Sequence, residues 1–414
     1  MTKKIYVLGA GASRPAGIPM QSNLIKEIFS LQKADLKLKE KEASFMSETD
    51  NDVFSQFNSF NDAKKTFAKF LLNNFASKAL LEKYMNEKKE KDDPKKKDKD
   101  KINWPYYFNQ LQKLDISLEN IFTIIDKALN DNIFFQNYNI EELRKVKNAL
   151  DNTLIYLLSF YAPDNNELYK EISRYLTKEL DGGNEPVIIS LNWDTLIDEF
   201  LFKCCKGEDI FVDYGTDYYN ISNGEKVNRN IDKKIKLLKL HGSINWLVCR
   251  NCYKLFAQSD EILALSVLME KSNQNDCNFC EQYSRKNELE NSIITPTYIK
   301  NFERLHYKNI WRMAFNEISE ADEIVFIGYS FPEADYELRY LFKRATELNT
   351  EIKVVLYKYD DPDYYKKKIN GENIDDIINK LSLPAKRYLS FFKQNNITFN
   401  YKGIEDYFKM KGVL

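Results

Sequence analysis

The chain has almost no net charge, because its 61 Lys and Arg residues are balanced by 62 Asp and Glu residues. A chain so balanced has no overall electrostatic attraction to nucleic acid, so direct nucleic-acid binding is not expected. No run of about 18 apolar residues, the length that crosses a membrane, occurs, and no apolar signal segment precedes the first strand. Membrane insertion and secretion are therefore not expected, and the predicted compartment is the cytoplasm.

Histidine is also scarce, with two residues among 414. The apolar share of the sequence is 43%, and 27 Phe and 26 Tyr residues provide bulky side chains for a core. A chain of this length usually folds as about two or three domains. The composition therefore predicts a folded protein with a sizeable core.

Near the start of the sequence, the pattern of residues from Ile5 to Ile28 predicts a strand, a glycine turn and a helix. Its apolar start ends at Gly9 and Gly11, and helical spacing resumes after Pro19. The glycines allow backbone N–H groups and a helix N-terminus to face a phosphate, which predicts a nucleotide ligand. The third glycine of the usual dinucleotide fingerprint is displaced by residues 13–17, so a tight turn that binds nothing remains an alternative.

A second apolar strand begins at Val187 and ends just before Asn192 and Asp194. Ligands of parallel α/β sheets bind at the carboxyl ends of the strands, so both polar side chains are expected beside a ligand crevice. The alternative for Asp194 is a structural one, as the N-cap of the helix predicted over Thr195 to Cys204.

A third strand, Ile235 to Leu240, leads directly into His241. Because imidazole titrates near neutral pH, a histidine at a strand end is a candidate for proton transfer. A histidine that serves packing alone is the alternative, and we adopt that interpretation for His306, which lies in a helical pattern over residues 301–318.

Two Cys-x-x-Cys pairs, Cys249 with Cys252 and Cys277 with Cys280, are separated by 24 residues. This spacing predicts a structural zinc site, because each pair holds one edge of a tetrahedron and four thiolates leave no position for water. Chance spacing or redox pairing is the alternative. The adjacent Cys204 and Cys205 are expected to be buried free thiols.

The final third of the chain restores the α/β pattern. Glu323 to Ile327 predicts a strand that ends at Gly328 and Ser330, followed by a helix over about 333–348 and a strand over 352–357. Small and hydroxyl residues at such a turn suit ribose and phosphate contacts, and a simple helix entry is the alternative.

Residues 45–180 have few glycines and repeated helical spacing of Phe, Leu and Ile, which predicts an inserted helical domain. Residues 86–101 consist mostly of lysines and acidic residues. This composition predicts a solvated linker or helix extension, and a phosphate-binding segment is the less favoured alternative. The tail is expected to form helices over 374–381 and 383–394 and a short strand over 397–401.

The order of these motifs resembles the sirtuin family and its diverged bacterial relatives. The matching segments are GAGAS with GIP, NWD, HG, the cysteine quartet and GYS, at residues 9–13 and 17–19, 192–194, 241–242, 249–280 and 328–330. The resemblance covers residues 1–30 and about 185–360. It implies NAD as the substrate and zinc as a structural metal.

The resemblance also implies a role for each candidate residue. Asn192 would contact the nicotinamide ribose and the attacking water, and His241 would be the general base. The implied NAD-binding residues are Gly9, Ala10, Gly11 and Ser13 at the first turn, Asp194 at the carboxamide, and Gly328 and Ser330 at the far phosphate or ribose.

Three places in the sequence differ from deacylating sirtuins. Met20, Gln21 and Ser22 replace the Phe-Arg that follows their GIP motif, Leu191 replaces the Gln before their catalytic Asn, and Tyr357 replaces an Asn that contacts adenosine. With the large helical insert and LHGSINW, the pattern looks most like the sirtuin-like NAD hydrolases of bacterial antiphage defence.

This resemblance implies an NAD glycohydrolase that gives nicotinamide and ADP-ribose, as a defence effector that depletes NAD. The alternatives are an NAD-dependent protein deacylase and a non-catalytic sensor of NAD or ADP-ribose. The implied partners are further copies of the chain in a homo-oligomer and a DNA translocase or another defence protein.

The predicted fold is α/β, with a Rossmann-like parallel sheet, a large helical insertion and a small zinc-ribbon-like module. The predicted domains are a catalytic domain over 1–30 and 185–360, a helical insertion over 45–180, a zinc module over 246–285 and a C-terminal helical extension over 361–414.

Overall fold

A computed structural model describes residues 2–31, 50–91, 102–161, 166–206, 208–221, 223–257, 277–281, 289–300, 302–356 and 382–413. Within these ranges the strands are β1 (Lys4–Leu8), β2 (Val187–Ser190), β3 (Phe211–Asp213), β4 (Tyr219–Asn220), β5 (Lys234–Lys239), β6 (Gly242–Cys249), β7 (Leu255–Ala257), β8 (Leu289–Ile293), β9 (Glu323–Ile327), β10 (Glu351–Val355) and β11 (Ile397–Asn400).

The helices in the same ranges are α1 (Ala10–Ser13), α2 (Leu24–Ser30), α3 (Asp50–Phe75), α4 (Lys78–Lys91), α5 (Trp104–Leu111), α6 (Leu118–Asp131), α7 (Ile140–Tyr161), α8 (Glu167–Asp181), α9 (Leu196–Lys206), α10 (Asn278–Glu281), α11 (Leu305–Ser319), α12 (Tyr336–Ala345), α13 (Leu383–Phe391) and α14 (Gly403–Met410). Two 3₁₀ turns cover Arg14–Ala16 and Gln21–Asn23. None of the helices in the described part of the chain combines the length and apolar character that a bilayer crossing requires.

Seven strands form one parallel sheet in the order β11, β10, β9, β1, β2, β5, β3. The central strands β1, β2 and β9 are largely apolar runs, as expected for a sheet covered on both faces, and β2 and β9 are buried along their whole length. The predicted α/β class with a Rossmann-like parallel sheet is therefore confirmed.

The order of strands places a topological switch between β1 and β9. From β1 the chain continues to β2 on one side, whereas from β9 it continues to β10 on the other side. At such a switch the connections diverge and leave a crevice at the carboxyl ends of the two strands. The glycine turns after β1 and β9 lie at this crevice.

A second sheet of four strands, in the order β4, β7, β6, β8, is attached through the longest strand of the described chain. This strand, β6, pairs antiparallel with β7 and β8, and it is buried throughout. It starts at Gly242, immediately after His241, and ends at Cys249. Strand β6 is not predictable from the sequence, because its mixture of apolar and polar residues lacks a clear alternation.

The described chain separates into two compact units. The first contains residues 1–18, 162–294 and 301–414 and carries both sheets. Helices α8 and α9 pack on each other there and contact β5 and β3, respectively. The predicted domain boundaries remain a prediction.

The second unit, residues 19–161 and 295–300, is helical. Its longest helices, α3 and α7, pack together, with the Phe60 and Tyr156 rings 4.5 Å apart. Helix α6 begins where the Ser117 hydroxyl accepts the N–H of Asn120, and it ends at Asp131, before Asn132, whose φ of 55° is left-handed. The spacing of Phe, Leu and Ile therefore did indicate helices in this part of the chain.

Several predictions of local structure fall on residues that the structure does not describe. They are the helix over 374–381, Tyr357 and the part of the charged run over 92–101. Residues 86–91 of that run continue helix α4. Helix α14 lies in the tail, where the sequence reasoning expected no further helix after the strand over 397–401.

Candidate functional site

The two glycine turns of the parallel sheet contact each other directly. The Gly9 N–H donates to the Ile327 carbonyl over 2.9 Å, and the Gly11 N–H donates to the Gly328 carbonyl over 2.8 Å. The N–H groups of Gly9 and Gly11 are therefore used inside the protein. Ala10 is exposed as the first residue of α1, where a backbone N–H has no partner within the helix and can face a phosphate.

The close approach of these turns explains why glycine occupies them. A Cβ on Gly328 would lie 2.1 Å from the Ala12 nitrogen, and one on Gly11 would lie 2.8 Å from the Gly328 oxygen. Gly328 also has a φ of 63°, a left-handed conformation that favours glycine. The sequence predicts that these glycines let a ligand approach, and the structure shows a second role, in which they allow two backbones to meet.

Asn192 lies directly beneath the first turn. Its Nδ2 donates to the Gly9 carbonyl and to the Ser13 hydroxyl, both over 3.0 Å. Because both amide protons point into the protein, Oδ1 is the amide atom that can accept a hydrogen bond from a ligand. Asn192 is half-buried, so this oxygen belongs to a side chain that solvent reaches.

Ser13 continues the network to Asp194. Its hydroxyl donates to Asp194 Oδ2 over 2.9 Å, while Asp194 Oδ1 accepts the N–H of Leu196 over 3.2 Å at the start of α9. One oxygen of Asp194 thus caps the helix, as the structural alternative predicts, and the other oxygen joins the network of the candidate site. Burial raises the pKa of Asp194, and this shift is opposed by Lys239 and by the Ser13 hydrogen bond.

His241 follows β5 and faces the same loop. Its Nδ1 lies 3.2 Å from the Leu191 carbonyl oxygen, and its ring is half-buried. A carbonyl oxygen only accepts, so this contact keeps the proton on Nδ1 and makes Nε2 the acceptor nitrogen of the neutral ring. An imidazole in this tautomer can take a proton at Nε2.

Ser330 lies in the second glycine turn and is exposed. The turn is fixed by three contacts: the Gly328 N–H donates to Val355, the Tyr388 hydroxyl donates to the Tyr329 carbonyl, and Tyr329 donates to Asp335. The Ser330 hydroxyl can therefore be presented to a ligand by a turn whose backbone is held from both sides.

Three buried residues of this site were missed from the sequence. The Tyr169 hydroxyl donates to the Ala12 carbonyl over 2.7 Å, and the Lys239 ammonium contacts both Asp194 and Asp198. No distinct signal in the sequence marks Lys239, because β5 also contains Lys234 and Lys236. Tyr169 lies 157 residues from its partner, and nothing in its own helix marks it.

His306 occupies a structural position, as expected. It lies on α11 with Nε2 3.0 Å from the Ser292 hydroxyl, and it is buried. Desolvation by burial, followed by the charge of Arg304, lowers the pKa of His306 from 6.5 to about 3. The unfolded chain therefore binds a proton between these pH values that the folded chain does not.

This difference predicts a pH dependence of stability. The contribution of neutral His306 is fully present above pH 6.5 and is lost as the pH falls towards 3, by up to about 1.4 kcal/mol per pH unit. We expect His306→Gln to flatten the decline in the free energy of unfolding between pH 6 and pH 4 by about that slope. Urea titrations at several pH values test this, and equal slopes for both proteins would contradict it.

The four cysteines of the two Cys-x-x-Cys pairs meet beside the second sheet, between the end of β6 and α10. All four sulfur atoms lie within 4.8 Å of one another, with Cys249 to Cys280 at 3.7 Å and Cys252 to Cys277 at 3.5 Å. Sulfurs around a tetrahedral zinc are about 3.8 Å apart, because each Zn–S bond is about 2.3 Å long. The distances fit zinc, and they are far longer than the about 2.05 Å of a disulfide.

The surroundings of this cluster also fit a structural metal. It is enclosed by Ile221, Leu247, Phe256 and Leu289, with the Phe279 ring against it. Such an apolar shell keeps water away from four thiolates, and Cys204 and Cys205 lie elsewhere, on α9. The four cysteines can therefore hold one zinc ion and close its coordination.

We expect freshly purified protein to contain about one zinc per chain. Cys277→Ser should lose the metal and unfold at a lower temperature, because a structural zinc contributes to the free energy of folding. Cys204→Ser is the matched control and should keep both the bound zinc and the wild-type unfolding temperature. Elemental analysis and thermal unfolding measure these outcomes, and fully active wild-type protein without zinc would contradict the assignment.

Comparisons with known proteins give only structural likeness. A scan against protein-family models finds no match, and a search of curated proteins finds none. The chain is similar to the structure of Sir2Tm bound to a propionylated peptide, at 13% identity and a TM-score of 0.34. It is also similar to a structure described as Sir2, p53 peptide and NAD+, at 13% identity and a TM-score of 0.35.

Both alignments cover 99% of this chain and 94% of the other chain. A third structure, from work on the mechanism and regulation of Sir2 enzymes, has 14% identity and a TM-score of 0.30 over 62% of this chain and 80% of that one. Identity and overlap at this level do not transfer a ligand or an activity to this chain.

Proposed function

We propose that the chain binds NAD at the crevice between β1 and β9 and hydrolyses its nicotinamide–ribose bond, giving nicotinamide and ADP-ribose. The observation that carries this proposal is the hydrogen-bond chain from the Gly9 carbonyl through Asn192 and Ser13 to Asp194. It joins the first glycine turn to the polar residues after β2, at the switch point where α/β sheets bind nucleotides. The motif resemblance supplies the identity of the nucleotide.

The proposed reaction needs little from the protein beyond positioning and one base. The C–N bond to nicotinamide breaks, its electron pair leaves with the ring nitrogen, and positive charge develops on the ribose. Asn192 Oδ1 accepts a hydrogen bond from the attacking water or a ribose hydroxyl, and His241 Nε2 takes the proton that water loses. The water oxygen then forms the new bond to the ribose carbon.

The Nδ1 contact of His241 supports its role as the base. With Leu191 holding the Nδ1 proton, the second nitrogen is the one that can accept, and no further proton movement is required before reaction. Asp194 is proposed to contact the carboxamide of nicotinamide, and Ser330 the far ribose or phosphate. Ala10 is proposed to donate its backbone N–H to a phosphate.

A deacylase and a sensor are the competing functions. A deacylase transfers the acyl group of a lysine to ADP-ribose, whereas a sensor leaves NAD intact. Mass spectrometry of NAD incubated with the pure protein, with and without an acyl-lysine peptide, distinguishes them. The proposal expects nicotinamide and ADP-ribose in both reactions, and acyl-ADP-ribose as the main product would contradict it.

We further propose that the activity serves antiphage defence by depleting NAD in the cytoplasm. Support comes from the polar residues after the GIP motif and from LHGSINW, which resemble the defence enzymes of this type. A homo-oligomer and a DNA-handling partner are proposed on the same resemblance. NAD consumption by the protein alone and together with neighbouring gene products tests this, and a rate that no partner or phage component changes would contradict regulated defence.

A further inference from the structure

A buried ion pair lies beneath the loop that carries Asn192. Lys239, the last residue of β5, is 0% exposed, and its ammonium lies 2.8 Å from the Asp198 carboxylate, which is also 0% exposed. The Tyr214 hydroxyl donates to the other oxygen of Asp198 over 2.7 Å. The same ammonium donates to the Asp194 backbone carbonyl over 2.6 Å.

The loop from Leu191 to Asp194 is held from one segment, residues 239–244. Three of its carbonyls accept hydrogen bonds from that segment. Leu191 accepts from the His241 ring, Trp193 from the Ile244 N–H over 3.0 Å, and Asp194 from the Lys239 ammonium. Asn192 lies between these points, so its backbone can shift only if one of the contacts is lost, while its side-chain amide is held separately by Gly9 and Ser13.

The ion pair is poorly explained as a source of stability. The desolvation penalty of two buried charges can exceed the attraction between them, and apolar replacements of similar volume are often equally stable or more stable. In some proteins a buried ionic group instead fixes one conformation of its neighbours. Here the neighbouring group is the backbone of the loop at Asp194.

We propose that Lys239 and Asp198 are positioning residues that fix the loop carrying Asn192 relative to His241. This inference rests on the proposed NAD hydrolysis. The Lys239 ammonium holds the Asp194 carbonyl next to β5 through a hydrogen bond. Asp198 binds the ammonium, and the Tyr214 hydroxyl in turn fixes the Asp198 carboxylate. A catalytic group displaced by about 1 Å can lose as much as 10²-fold in rate, so the contact affects the chemical step.

The test uses a variant in which both charges are removed together. Lys239→Met alone leaves the Asp198 charge buried and unpaired, so it is combined with Asp198→Asn, whose Oδ1 still accepts from Tyr214. Lys236→Met is the matched control, because Lys236 lies on the same strand and pairs with Glu317 over 2.8 Å, away from the loop. If the Lys239→Met, Asp198→Asn protein does not fold, the double variant Lys239→Gln, Asp198→Asn is used in its place.

Two measurements are made on each protein. Steady-state kinetics with NAD should show kcat at least about tenfold lower in the double variant with KM within about threefold, and wild-type values in the control. Hydrogen exchange of the peptide covering residues 188–196 should be faster in the double variant and unchanged in the control. Wild-type kcat in a folded double variant, or unchanged exchange of that peptide, overturns the proposal.

The exchange measurement keeps this inference separate from the proposed function. If wild-type protein leaves NAD intact, the proposed hydrolysis fails, and faster exchange in residues 188–196 still supports Lys239 as the residue that fixes the loop. Unchanged exchange in that case rejects the positioning role as well.

Discussion

His241→Asn and Asn192→Ala should each lower kcat for NAD cleavage by about 10²–10⁴-fold while the protein stays folded. In the first variant the base is lost, because an Asn amide cannot take a proton at neutral pH. In the second, the acceptor that orients the water or ribose hydroxyl is lost. Both side chains are half-buried and neither belongs to the apolar core, so thermal unfolding should remain near that of wild type.

The choice of Asn at position 241 separates chemistry from structure. The Asn amide N–H can occupy the place of Nδ1–H and donate to the Leu191 carbonyl, as His241 does over 3.2 Å. The loop contact is thereby retained while the acceptor nitrogen disappears. His306→Gln is the matched control, since it changes the chain's other histidine outside the site and should leave kcat at pH 7 unchanged.

Kinetics with NAD and zinc analysis on the same preparations measure these outcomes. Zinc content should remain near wild type in both variants, because the cysteine cluster is held by β6, β7 and α10. A variant that hydrolyses NAD at close to the wild-type rate would show that its residue does not have the role proposed for it.

Gly328→Ala should destabilise the first unit and abolish NAD binding. The new methyl group would lie 2.1 Å from the Ala12 nitrogen and 2.3 Å from the Gly11 carbonyl carbon, both backbone atoms that cannot rotate away. The left-handed φ of 63° adds about 1 kcal/mol for a non-glycine residue, and overpacking of this kind adds typically about 1–3 kcal/mol. Relief of the overlap requires that the turns after β1 and β9 separate.

Gly17→Ala is the matched control for this change. Gly17 has a φ of 87° but nothing within 4 Å of the Cβ position, so the conformational cost remains and the overlap does not. Urea unfolding and calorimetric titration with NAD should therefore show a small loss of stability and wild-type affinity in the control. Equal losses of stability in the two variants would mean that the turns do not depend on their close contact.

The strands that build the site were predictable because their signals are local. Short apolar runs next to polar or glycine residues start at Val187, Glu323 and Ile352. Such runs are typical of buried parallel strands. The carboxyl ends of such strands meet at one edge of the sheet, so the expectation that Asn192 and the glycine turns are neighbours followed from topology alone. The paired cysteines were predictable for the same reason, since zinc ligands keep a fixed local spacing.

Contacts between distant segments could not be predicted in this way. The pairing of Lys239 with Asp198, and of Tyr169 with the Ala12 carbonyl, depends on how α8 and α9 pack, which no local pattern specifies. The packing role of Gly11 was missed for a related reason. Its nearest neighbour is Gly328, more than 300 residues away in the chain, and only the sheet order brings the two together.

Direct analysis of NAD turnover tests the central claim most closely. Purified protein is incubated with NAD at neutral pH, and NAD, nicotinamide and ADP-ribose are quantified over time beside the His241→Asn variant. We expect nicotinamide and ADP-ribose to appear in equal amounts as NAD disappears, with the variant at least about 10²-fold slower. NAD that remains intact, or consumption that the variant matches, would contradict an NAD hydrolase at this crevice.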